Sequence, residues 1–515
     1  MSVYAIHRHN LFQIKKERPC HCRARYISHL LYCSAVQCPK LLWLSKYRPE
    51  TVEDEHANQA VLDRGSAVGD LAMGLFGEYV EVPFGDLGDM INETERLLEA
   101  GTPVITEASF SLDGLFCSVD ILLNHGGKHV SMVEGKSPTH VSDINRHDAS
   151  FQYYVLTGLG YDVEKINLCC LNPAYVRQGP LELDKLFLLT DVTADVQAMQ
   201  AGVAERIDML RTYMEQTEEP PREIGEQCFS PYACPCFGWC TKELPKPNIF
   251  DISGIQTRTK LANYRKGIVS FEDIEAQKAL KPDRLIEVSQ AIHDLSPVID
   301  REAIRDFLDQ LTYPLYFLDF ESFMPVVPLY DGCKPYEQIV FQYSLHFIEG
   351  EGGALRHREY LAYPGEDPRR GAAEQLCPDI PRDACVLAYN MSFEKTRIKG
   401  LAALYPDLAE HLMSIHDHIV DLMVPFQKKY YYTRTMQGSY SIKHVLPALF
   451  PDDPSLDYHN LEGVHNGSEA SETFENMEKM SPEERENFRQ SLLKYCGLDT
   501  LAMVKVWEKL REVTQ

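Results

Sequence analysis

The alternation of apolar and polar positions predicts a hairpin followed by a helix in the first half of the chain. FCSVDILL alternates and then becomes apolar throughout, as a strand entering a core does. After the break at NHGG, the segment KHVSMVEGKS predicts the second strand of the hairpin. DINRHDASFQYYVLTGLG has helical spacing and ends at glycine, and VEKINLCCLNP predicts a further strand.

The second half of the chain repeats this mixture of strands and helices. YPLYFLDFES predicts an apolar strand that emerges into acids, and EQIVFQYSLHFIE alternates as an antiparallel neighbour would. ACVLAYN predicts a strand, SFEKTRIKGLAALYP a helix, and ENFRQSLLKYCGLDTLAMVKVWEKLREV a long C-terminal helix. The pattern therefore predicts an α/β fold throughout.

With 515 residues, the chain is too long for one hydrophobic core. We expect a domain over residues 26–245, a helical connector over 246–301 and a domain over 302–515. Residues 1–25 form a basic extension in which Glu17 is the sole acid, without the apolar core of a signal peptide. A transit peptide is one interpretation, but recognisable pattern begins near Tyr26, so we expect a later translation start.

Composition narrows the class of protein. The chain is 44% hydrophobic and 25% charged, and it has no apolar run long enough to span a membrane, so we expect a globular protein without membrane partners. Its 15 cysteines without a secretion signal indicate reduced thiols and a cytoplasmic location. The net charge of -25 argues against a protein that coats DNA, but it does not exclude one that cuts DNA.

A first candidate site lies on the predicted hairpin of the first domain. Asp120 and Glu134 would direct carboxylates from adjacent strands at one Mg²⁺ or Mn²⁺ ion. Glu134 and Lys136 project from the same strand face, so the ammonium would lie beside the metal and stabilise developing phosphorane charge. The alternative is a surface hairpin with an ordinary salt bridge.

A second candidate site lies in the third region. Asp319 and Glu321 share one face of a strand, as the first ligands of a two-metal site require. Tyr495 and Asp499 share one helix face, and Glu394 follows the intervening strand. The alternative for the strand is a solvated acidic pair.

A basic and aromatic stretch near the second site is a candidate track for single-stranded nucleic acid. Aromatic faces can stack on unpaired bases while cations follow the phosphates. The alternative is an ordinary sheet edge protected by lysines. The residues proposed to bind nucleic acid are Tyr431, Tyr432, Arg434 and Lys443.

The first domain also begins and ends with cysteines that have the character of metal ligands. The set comprises Cys38 and the downstream Cys228, Cys234 and Cys240. Cys236 is a fifth candidate and Cys33 is an alternative to Cys38. Thiolate ligands at such irregular spacing suit an iron–sulfur cluster. Zinc is the alternative, but structural zinc sites usually use C-x2-C pairs, which do not occur in this cluster.

The SVDILL and EGKS segments, followed by Asp148 and Gln152, resemble the PD-(D/E)xK nucleases of the RecB-like kind, with a restriction-endonuclease-type core. The resemblance implies that Gln152 lies beside the active site and that Glu107 is an additional metal ligand. The chain departs from that family at Leu156, where a tyrosine is usual, and it lacks a histidine in residues 65–76.

The cysteine set resembles the clamp of RecB-family exonucleases, which implies a 4Fe–4S cluster that joins the ends of the nuclease domain. The third region resembles the DnaQ-like exonucleases of RNase H fold, of the DEDDy subtype. That resemblance implies two metal ions held by Asp319, Glu321, Glu394 and Asp499, with Tyr495 orienting the water. Glu394 departs from the usual aspartate, and Asp421 is a substitute ligand.

Together these parts resemble a bacterial family known as a domain of unknown function, which joins a RecB-like iron–sulfur nuclease to a DEDDy exonuclease. The resemblance implies a nuclease with two hydrolytic sites that acts on DNA, single-stranded or flapped, in repair or defence. RNA is the alternative substrate, because nothing in the sequence reads a 2′-hydroxyl group. A nucleic-acid-binding adaptor with decayed sites is the non-enzymatic alternative.

Overall fold

The computed structural model describes residues 26–52, 59–293 and 295–515, so the predicted extension over 1–25 lies outside the described residues. The chain divides into two compact units. The first consists of the chain up to Glu243 together with Pro325–Tyr336, and the second of Leu244–Met324 together with Glu337–Gln515. The predicted connector lies within the second unit.

The described part of the first unit contains strands and helices in alternation. Its strands are β1 (Ile27–Ser28), β2 (Val80–Glu81), β3 (Val104–Leu112), β4 (Leu115–Gly126), β5 (His129–Lys136), β6 (Asp162–Leu171) and β7 (Phe187–Asp191). Its helices are α1 (His29–Gln37), α2 (Pro39–Tyr47), α3 (Gln59–Met73), α4 (Leu87–Glu99), α5 (Asp143–Gly158), α6 (Leu183–Leu186), α7 (Thr193–Ala198), α8 (Gln200–Met214) and α9 (Phe237–Cys240).

The described strands of this unit form one mixed sheet in the order β2-β3-β4-β5-β6-β7, with β1 paired to β4. β3, β4 and β5 are antiparallel neighbours, whereas β5 and β6 are parallel and are connected by α5. A parallel pair needs such a crossover, because a short turn can only reverse the chain. The predicted hairpin, helix and following strand are confirmed.

Helix α5 is positioned against the sheet by its sequence. Ser142 and Asn145 form a reciprocal capping box at its start. Its apolar side chains Phe151, Val155 and Leu156 are fully buried in the main core of the unit. Leu156, where the resembled family usually has tyrosine, is therefore a core residue.

The described part of the second unit has the same mixed character. Its strands are β8 (Val298–Ile299), β9 (Leu315–Phe323), β10 (Ile339–Ile348), β11 (Arg356–Leu361), β12 (Cys385–Ala388), β13 (Ile419–Asp421) and β14 (Tyr431–Tyr432). Its helices are α10 (Thr257–Tyr264), α11 (Phe271–Ala276), α12 (Pro282–Ile292), α13 (Arg301–Leu308), α14 (Pro368–Asp379), α15 (Ser392–Leu404), α16 (Ala409–Asp417), α17 (Val424–Gln427), α18 (Ile442–Leu449), α19 (Gly467–Asn476) and α20 (Pro482–Thr514).

The main sheet of this unit has the strand order β11-β10-β9-β12-β13. β9, β10 and β11 form an antiparallel meander, and β12 pairs in parallel with both β9 and β13. The long helix α20 begins at a capping box formed by Ser481 and Glu484 and packs on β9 and β10. The predicted order of strands and the long C-terminal helix are confirmed.

The fold is therefore mixed α/β, as the sequence predicts. Within the ranges that the structure describes, no helix is both long enough and apolar enough to cross a membrane.

Candidate functional site

The β4–β5 hairpin brings Asp120 and Glu134 together. Ile121 pairs with Val133 in the ladder, so the two acids lie opposite each other on adjacent strands. The backbone N–H of Asp120 donates to Oε1 of Glu134 over 3.2 Å, and that of Gly135 donates to Oδ2 of Asp120 over 2.8 Å. Both side chains are buried. The hairpin thus holds two carboxylates in a fixed relation away from bulk water.

Glu107 joins this pair from the other neighbouring strand. Thr106 pairs with Ile121 and Ala108 with Val119, which sets Glu107 opposite Asp120. Its backbone has a φ of 55°, in the left-handed region that is uncommon for a side chain of this size. Oε2 accepts a hydrogen bond from Ser118, whereas Oε1 has no hydrogen-bond partner among the described residues. A buried oxygen without a partner is a suitable ligand for a cation.

Burial dominates the electrostatics of these three acids. It raises the pKa of Glu107 to about 8, with a further contribution from the charge of Glu134. Burial likewise raises the pKa of Asp120 to about 7, although Lys136 opposes the rise. The pKa of Glu134 is raised well above its usual value by burial and by Asp120. The cluster therefore attracts a proton or a metal cation.

Lys136 is held by two carboxylates. Its Nζ donates to Oδ2 of Asp148 over 2.7 Å and to Oε2 of Glu134 over 3.2 Å. Burial alone would raise the pKa of Asp148, but the charges of Lys136 and His29 outweigh it and lower that pKa to about 2. No role for Asp148 is predicted from the sequence, although its spacing from Gln152 is a usable signal.

Gln152 contacts this network through Asp148. Its Nε2 donates to Oδ1 of Asp148 over 3.3 Å, while its buried Oε1 has no hydrogen-bond partner among the described residues. The chain of contacts therefore runs from Gln152 through Asp148 to Lys136. Gln152 is thereby connected through Asp148 and Lys136 to the carboxylate of Glu134.

The predicted cysteines of the first unit line one cavity. Cys38 lies between α1 and α2, and Cys228, Cys234 and Cys240 lie in the segment that ends with α9. Cys236 is buried and lines the same cavity. Cys33, the predicted alternative to Cys38, instead lies within α1 and packs against the main core of the unit.

The two cysteine-bearing segments are joined by hydrogen bonds. Nε2 of Gln37 donates to the carbonyl oxygens of Gln227 and Tyr232 over 2.8 Å and 2.7 Å. Burial raises the pKa of the Cys234 thiol to about 12, although a backbone hydrogen bond from Cys236 opposes the rise. Buried thiols of this kind stay protonated until a metal or cluster replaces the proton.

The second unit brings together the predicted acids of the third region. Asp319 and Glu321 lie on one face of β9, where they pair with Ser344 and Gln342 of β10. Asp499 and Tyr495 face them from α20, and Glu394 lies in the first turn of α15. Glu321, Glu394, Tyr495 and Asp499 are all buried, and Asp319 is partly exposed.

Mutual repulsion and burial raise the affinity of this cluster for positive charge. Burial, and then the charge of Asp499, raise the pKa values of Asp319 and Glu321 well above their usual range. Glu394 adds to both effects, and burial raises its own pKa to about 8. Burial raises the pKa of Asp499 to about 6, with hydrogen bonding from Tyr458 in opposition.

Tyr458 is a member of this site that the sequence analysis missed. Its hydroxyl donates to Oδ1 of Asp499 over 2.7 Å, and its ring lies 6.0 Å from that of Tyr495. Nζ of Lys443 lies 5.5 Å from the Tyr458 ring centroid and 5.7 Å from that of Tyr495. A tyrosine 41 residues away from Asp499 gives no signal in the local sequence pattern.

Asp421, the predicted substitute ligand, is engaged by backbone groups. Its carboxylate accepts hydrogen bonds from the N–H groups of Asn390, Met391 and Met423. Asn390 has a φ of 72°, so this turn is held in a left-handed conformation before α15 begins. Asp421 fixes the turn that delivers Glu394 to the site.

The predicted nucleic-acid track is corrected in part. Tyr431 and Tyr432 are 7% and 2% exposed, so their faces are covered by protein and cannot stack on bases. They form the short strand β14, which pairs with β8, and Nζ of Lys429 lies 3.9 Å from the Tyr432 ring centroid. Arg434 and Lys443 are exposed.

The second unit contains a cavity of about 490 Å³, and several of the residues that line it are close in sequence to Arg434 and Lys443. Tyr389 and Tyr440 line its wall, and the hydroxyl of Tyr389 donates a hydrogen bond of 2.7 Å to the backbone carbonyl oxygen of Tyr440. Asn390 lines it at the start of the turn before α15, and Ser441 lines it two residues before Lys443. The lining combines aromatic faces with side-chain hydrogen-bonding groups.

Comparison with protein families finds a match to part of the chain. A family described as a domain of unknown function (DUF2779) matches residues 316–441. This stretch includes Asp319, Glu321 and Glu394 but ends before Tyr495 and Asp499. No curated protein matches the chain. Over β9 and the strands and helices that follow it as far as Ser441, the chain is similar to a family for which no function is described.

Proposed function

We propose that this chain is a metal-dependent nuclease that degrades or trims DNA, single-stranded or flapped, at two hydrolytic sites. The observation that carries the proposal is the acidic cluster of the second unit. Asp319, Glu321, Glu394 and Asp499 come from β9, α15 and α20, and their pKa values are raised by burial and by one another. Such an arrangement is costly without a cation, and it is what phosphodiester hydrolysis with two metal ions uses.

The topology of the second unit supports an RNase H-like, DnaQ-type domain. An antiparallel meander of three strands is followed by two strands parallel to the first, with helices in the connections. This agrees with the DEDDy interpretation of the sequence. Asp319 and Glu321 lie on the central strand β9, Asp499 on the helix α20 that packs across it, and Glu394 at the start of α15, so the sheet and its helices fix their relative position.

The first unit supports a RecB-like interpretation in a similar way. An antiparallel hairpin carries Asp120, Glu134 and Lys136, and α5 crosses from β5 to the parallel strand β6. Glu107 adds a buried oxygen without a hydrogen-bond partner in the described ranges. The set of donors consists of carboxylate oxygens, which suit Mg²⁺ or Mn²⁺.

In both units the chain's own groups account for much of the proposed chemistry. Bound magnesium or manganese would polarise the phosphate and lower the pKa of a bound water. Glu107, Asp120 and Glu134 would hold the ion of the first site, and Asp319, Glu321, Glu394 and Asp499 those of the second. Lys136, anchored by Asp148, would stabilise negative charge on the phosphate, and Tyr495 would orient the attacking water.

The aromatic cavity and Lys443 support a substrate with unpaired bases. Tyr389 and Tyr440 offer faces on which a base can stack, and the exposed Lys443 is positioned to meet a phosphate. These groups act on features shared by DNA and RNA, so the choice of polymer depends on experiment. An excess of acids elsewhere on the chain does not prevent such local binding.

We also propose that the cysteine cavity holds a 4Fe–4S cluster. The thiols of Cys38, Cys228, Cys234 and Cys240 converge there, which is the set of donors that such a cluster requires. These cysteines are irregularly spaced in the chain and contain none of the C-x2-C pairs usual in structural zinc sites, which favours the iron–sulfur cluster over zinc. Cysteines that are free of disulfides and available as ligands suit a reducing cytoplasm.

The test is digestion of 5′-labelled single-stranded DNA in Mn²⁺ by the wild-type chain, Asp120→Ala, Asp319→Ala and the double variant. We expect each single variant to lose part of the activity and the double variant to lose all of it. Matched RNA strands identify an RNA exonuclease if RNA alone is degraded. Binding of both polymers without degradation would overturn the proposal in favour of an adaptor.

A further inference from the structure

Cys496 is buried beside Asp319 and Glu321 of the acidic cluster in the second unit. It lies three residues before Asp499 on α20, so both side chains point from the same helix face. Its Sγ is fully buried and lies 3.7 Å from Oδ2 of Asp319 and 3.8 Å from the backbone oxygen of that residue. In this state the thiol donates a weak hydrogen bond to the Asp319 carboxylate.

The spacing of three side chains around this thiol suits a single metal ion. One ligand atom from each of Asp319, Glu321 and Cys496 lies within 4.8 Å of the others. Within the described ranges, this is the one group of three such side chains that meets that distance. Ligands of a tetrahedral ion with bonds of about 2.0–2.3 Å are separated by about 3.3–3.8 Å, so small side-chain movements would close the site.

An independent feature of the site also points to a cation. Glu394 is only 2% exposed, and its Oε2 has no hydrogen-bond partner among the residues that the structure describes. Its charge acts on both Asp319 and Glu321. A buried carboxylate oxygen in this position is satisfied by a bound cation and not by the protein.

The chemistry of the donors predicts which cations bind most tightly. Mg²⁺ prefers oxygen ligands and does not gain from a thiol, whereas thiolates favour zinc and other thiophilic ions. A site with two carboxylates and one thiol is therefore better suited to a thiophilic ion than a site built of carboxylates alone.

We propose that Asp319, Glu321 and Cys496 form a site for a thiophilic divalent cation of the zinc and cadmium class. On binding, the S–H bond of Cys496 breaks, its proton passes to solvent, and a sulfur–metal bond forms. The consequence for regulation rests on the proposed nuclease function. A thiophilic ion that occupies these carboxylates excludes the magnesium ion used in catalysis, so it would inhibit the second site.

The test is titration of the full chain with CdCl₂, without substrate, monitored by the ultraviolet charge-transfer absorbance of cadmium–thiolate bonds. Cys496→Ser is compared with the wild-type chain and with Cys385→Ser, a control in the same unit. Cys385 pairs with Leu315, the first residue of β9, which lies four residues before Asp319. All three proteins carry the cysteine cluster of the first unit, so its contribution cancels when their spectra are subtracted from one another.

We expect Cys496→Ser to lose one cadmium–thiolate signal and to bind the ion at this site at least about tenfold more weakly, since outer groups alone change metal affinity by that factor. Cys385→Ser should retain the signal. Equal spectra for all three proteins would overturn the proposal and leave Cys496 as a buried hydrogen-bond donor.

Cadmium NMR of the unmodified chain provides a readout that does not depend on the folding of a variant. We expect a resonance for a single-thiolate site, separate from any multi-thiolate signal, that disappears in Asp319→Ala. Its absence from the wild-type spectrum would contradict the proposal. These measurements need no hydrolysis, so a chain that binds cadmium through Cys496 but leaves DNA intact would refute the nuclease function alone.

Discussion

The Nζ atom of Lys136 lies 2.7 Å from Oδ2 of Asp148 and 3.2 Å from Oε2 of Glu134. The lysine is therefore anchored more closely by helix α5 than by the acid on its own strand. Asp148 is in turn bonded by Gln152, so one face of α5 determines where the ammonium lies. In the proposed nuclease, Asp148 is a positioning residue for Lys136.

Asp148→Asn should lower the activity of the first site by about 10–100-fold, the range typical of groups that orient a metal site. The amide removes the charge that holds Lys136 while keeping the shape of the side chain. The measurement is digestion of labelled single-stranded DNA by the variant in an Asp319→Ala background.

The matched control for this experiment is Asp143→Asn, on the same helix with a side chain that is 98% exposed. It should retain its activity in the same background. A loss as large as that of Asp148→Asn would mean that the helix as a whole, and not the anchor of Lys136, is responsible.

Asp319→Asn should separate metal binding from stability in the second unit. Without divalent ions the variant should unfold at a higher temperature than the wild type, because a carboxyl group repelled by Asp499 and Glu321 is removed. With Mn²⁺ at about 100 times its Kd, the wild type should gain about 2.7 kcal/mol and the variant much less. Calorimetry in an Asp120→Ala background measures both effects.

Asp309→Asn is the control, since Asp309 is exposed at the end of α13. It should behave as the wild type with and without Mn²⁺. If Asp319→Asn gained as much stability from Mn²⁺ as the wild type, Asp319 would not be a metal ligand.

Cys38→Ser and Cys33→Ser should differ sharply in their iron content. Cys38 lines the cysteine cavity, whereas Cys33 lies five residues earlier and packs against the main core. After anaerobic purification we expect Cys38→Ser to lose the visible absorbance and iron of the cluster, and Cys33→Ser to keep them. A wild-type chain that contains zinc and no iron would replace the cluster with a zinc site.

The contribution of His346 to the stability of the second unit should be lost as the pH falls below about 6.5, against the opposite contribution of the acidic cluster, whose raised pKa values favour the folded state at lower pH. His346 and His357 lie opposite each other on β10 and β11 with rings 4.4 Å apart. Burial lowers the pKa of His346 to about 4. The unfolded chain therefore binds a proton at a higher pH than the folded chain, and stability that is complete above pH 6.5 is lost towards pH 4.

We expect this loss to be about 1–2 kcal/mol, discounted for partial exposure of the ring. Denaturant unfolding of the wild type and of His346→Gln at a series of pH values measures this loss as the difference between their slopes, and the variant should gain stability relative to the wild type as the pH falls from 6.5 towards 4. The control is His459→Gln, because the His459 side chain is 94% exposed. An unchanged slope in His346→Gln would contradict the assignment.

Lys443→Ala should weaken the binding of single-stranded DNA and lower its salt dependence by about 0.7, the value for one phosphate contact on a single strand. Lys399→Ala, an exposed lysine on α15, should leave both unchanged. Tyr432→Ala should instead destabilise the fold by about 3–5 kcal/mol, because its ring is a core side chain. Filter binding and thermal unfolding distinguish these outcomes.

The sequence alone predicted the elements that carry the sites. The spacing of apolar residues and the residues at the turns identified the hairpin of β4 and β5, the helix α5 and the apolar strand β9. These signals depend only on residues that are close in the chain. Local geometry was also enough to bring Glu134 beside Lys136, and Tyr495 beside Asp499. Side chains at i, i+2 on a strand or i, i+4 on a helix share a face in any fold.

Tertiary structure decided the relations between distant residues. Lys136 is anchored by Asp148, Asp499 is bonded by Tyr458, and Cys496 meets Asp319 only because α20 packs across β9. Packing also buried Tyr432, whose place in a basic and aromatic stretch indicated an exposed surface. A local pattern shows which faces are available, whereas the packing of separate elements determines which faces are covered and which side chains meet.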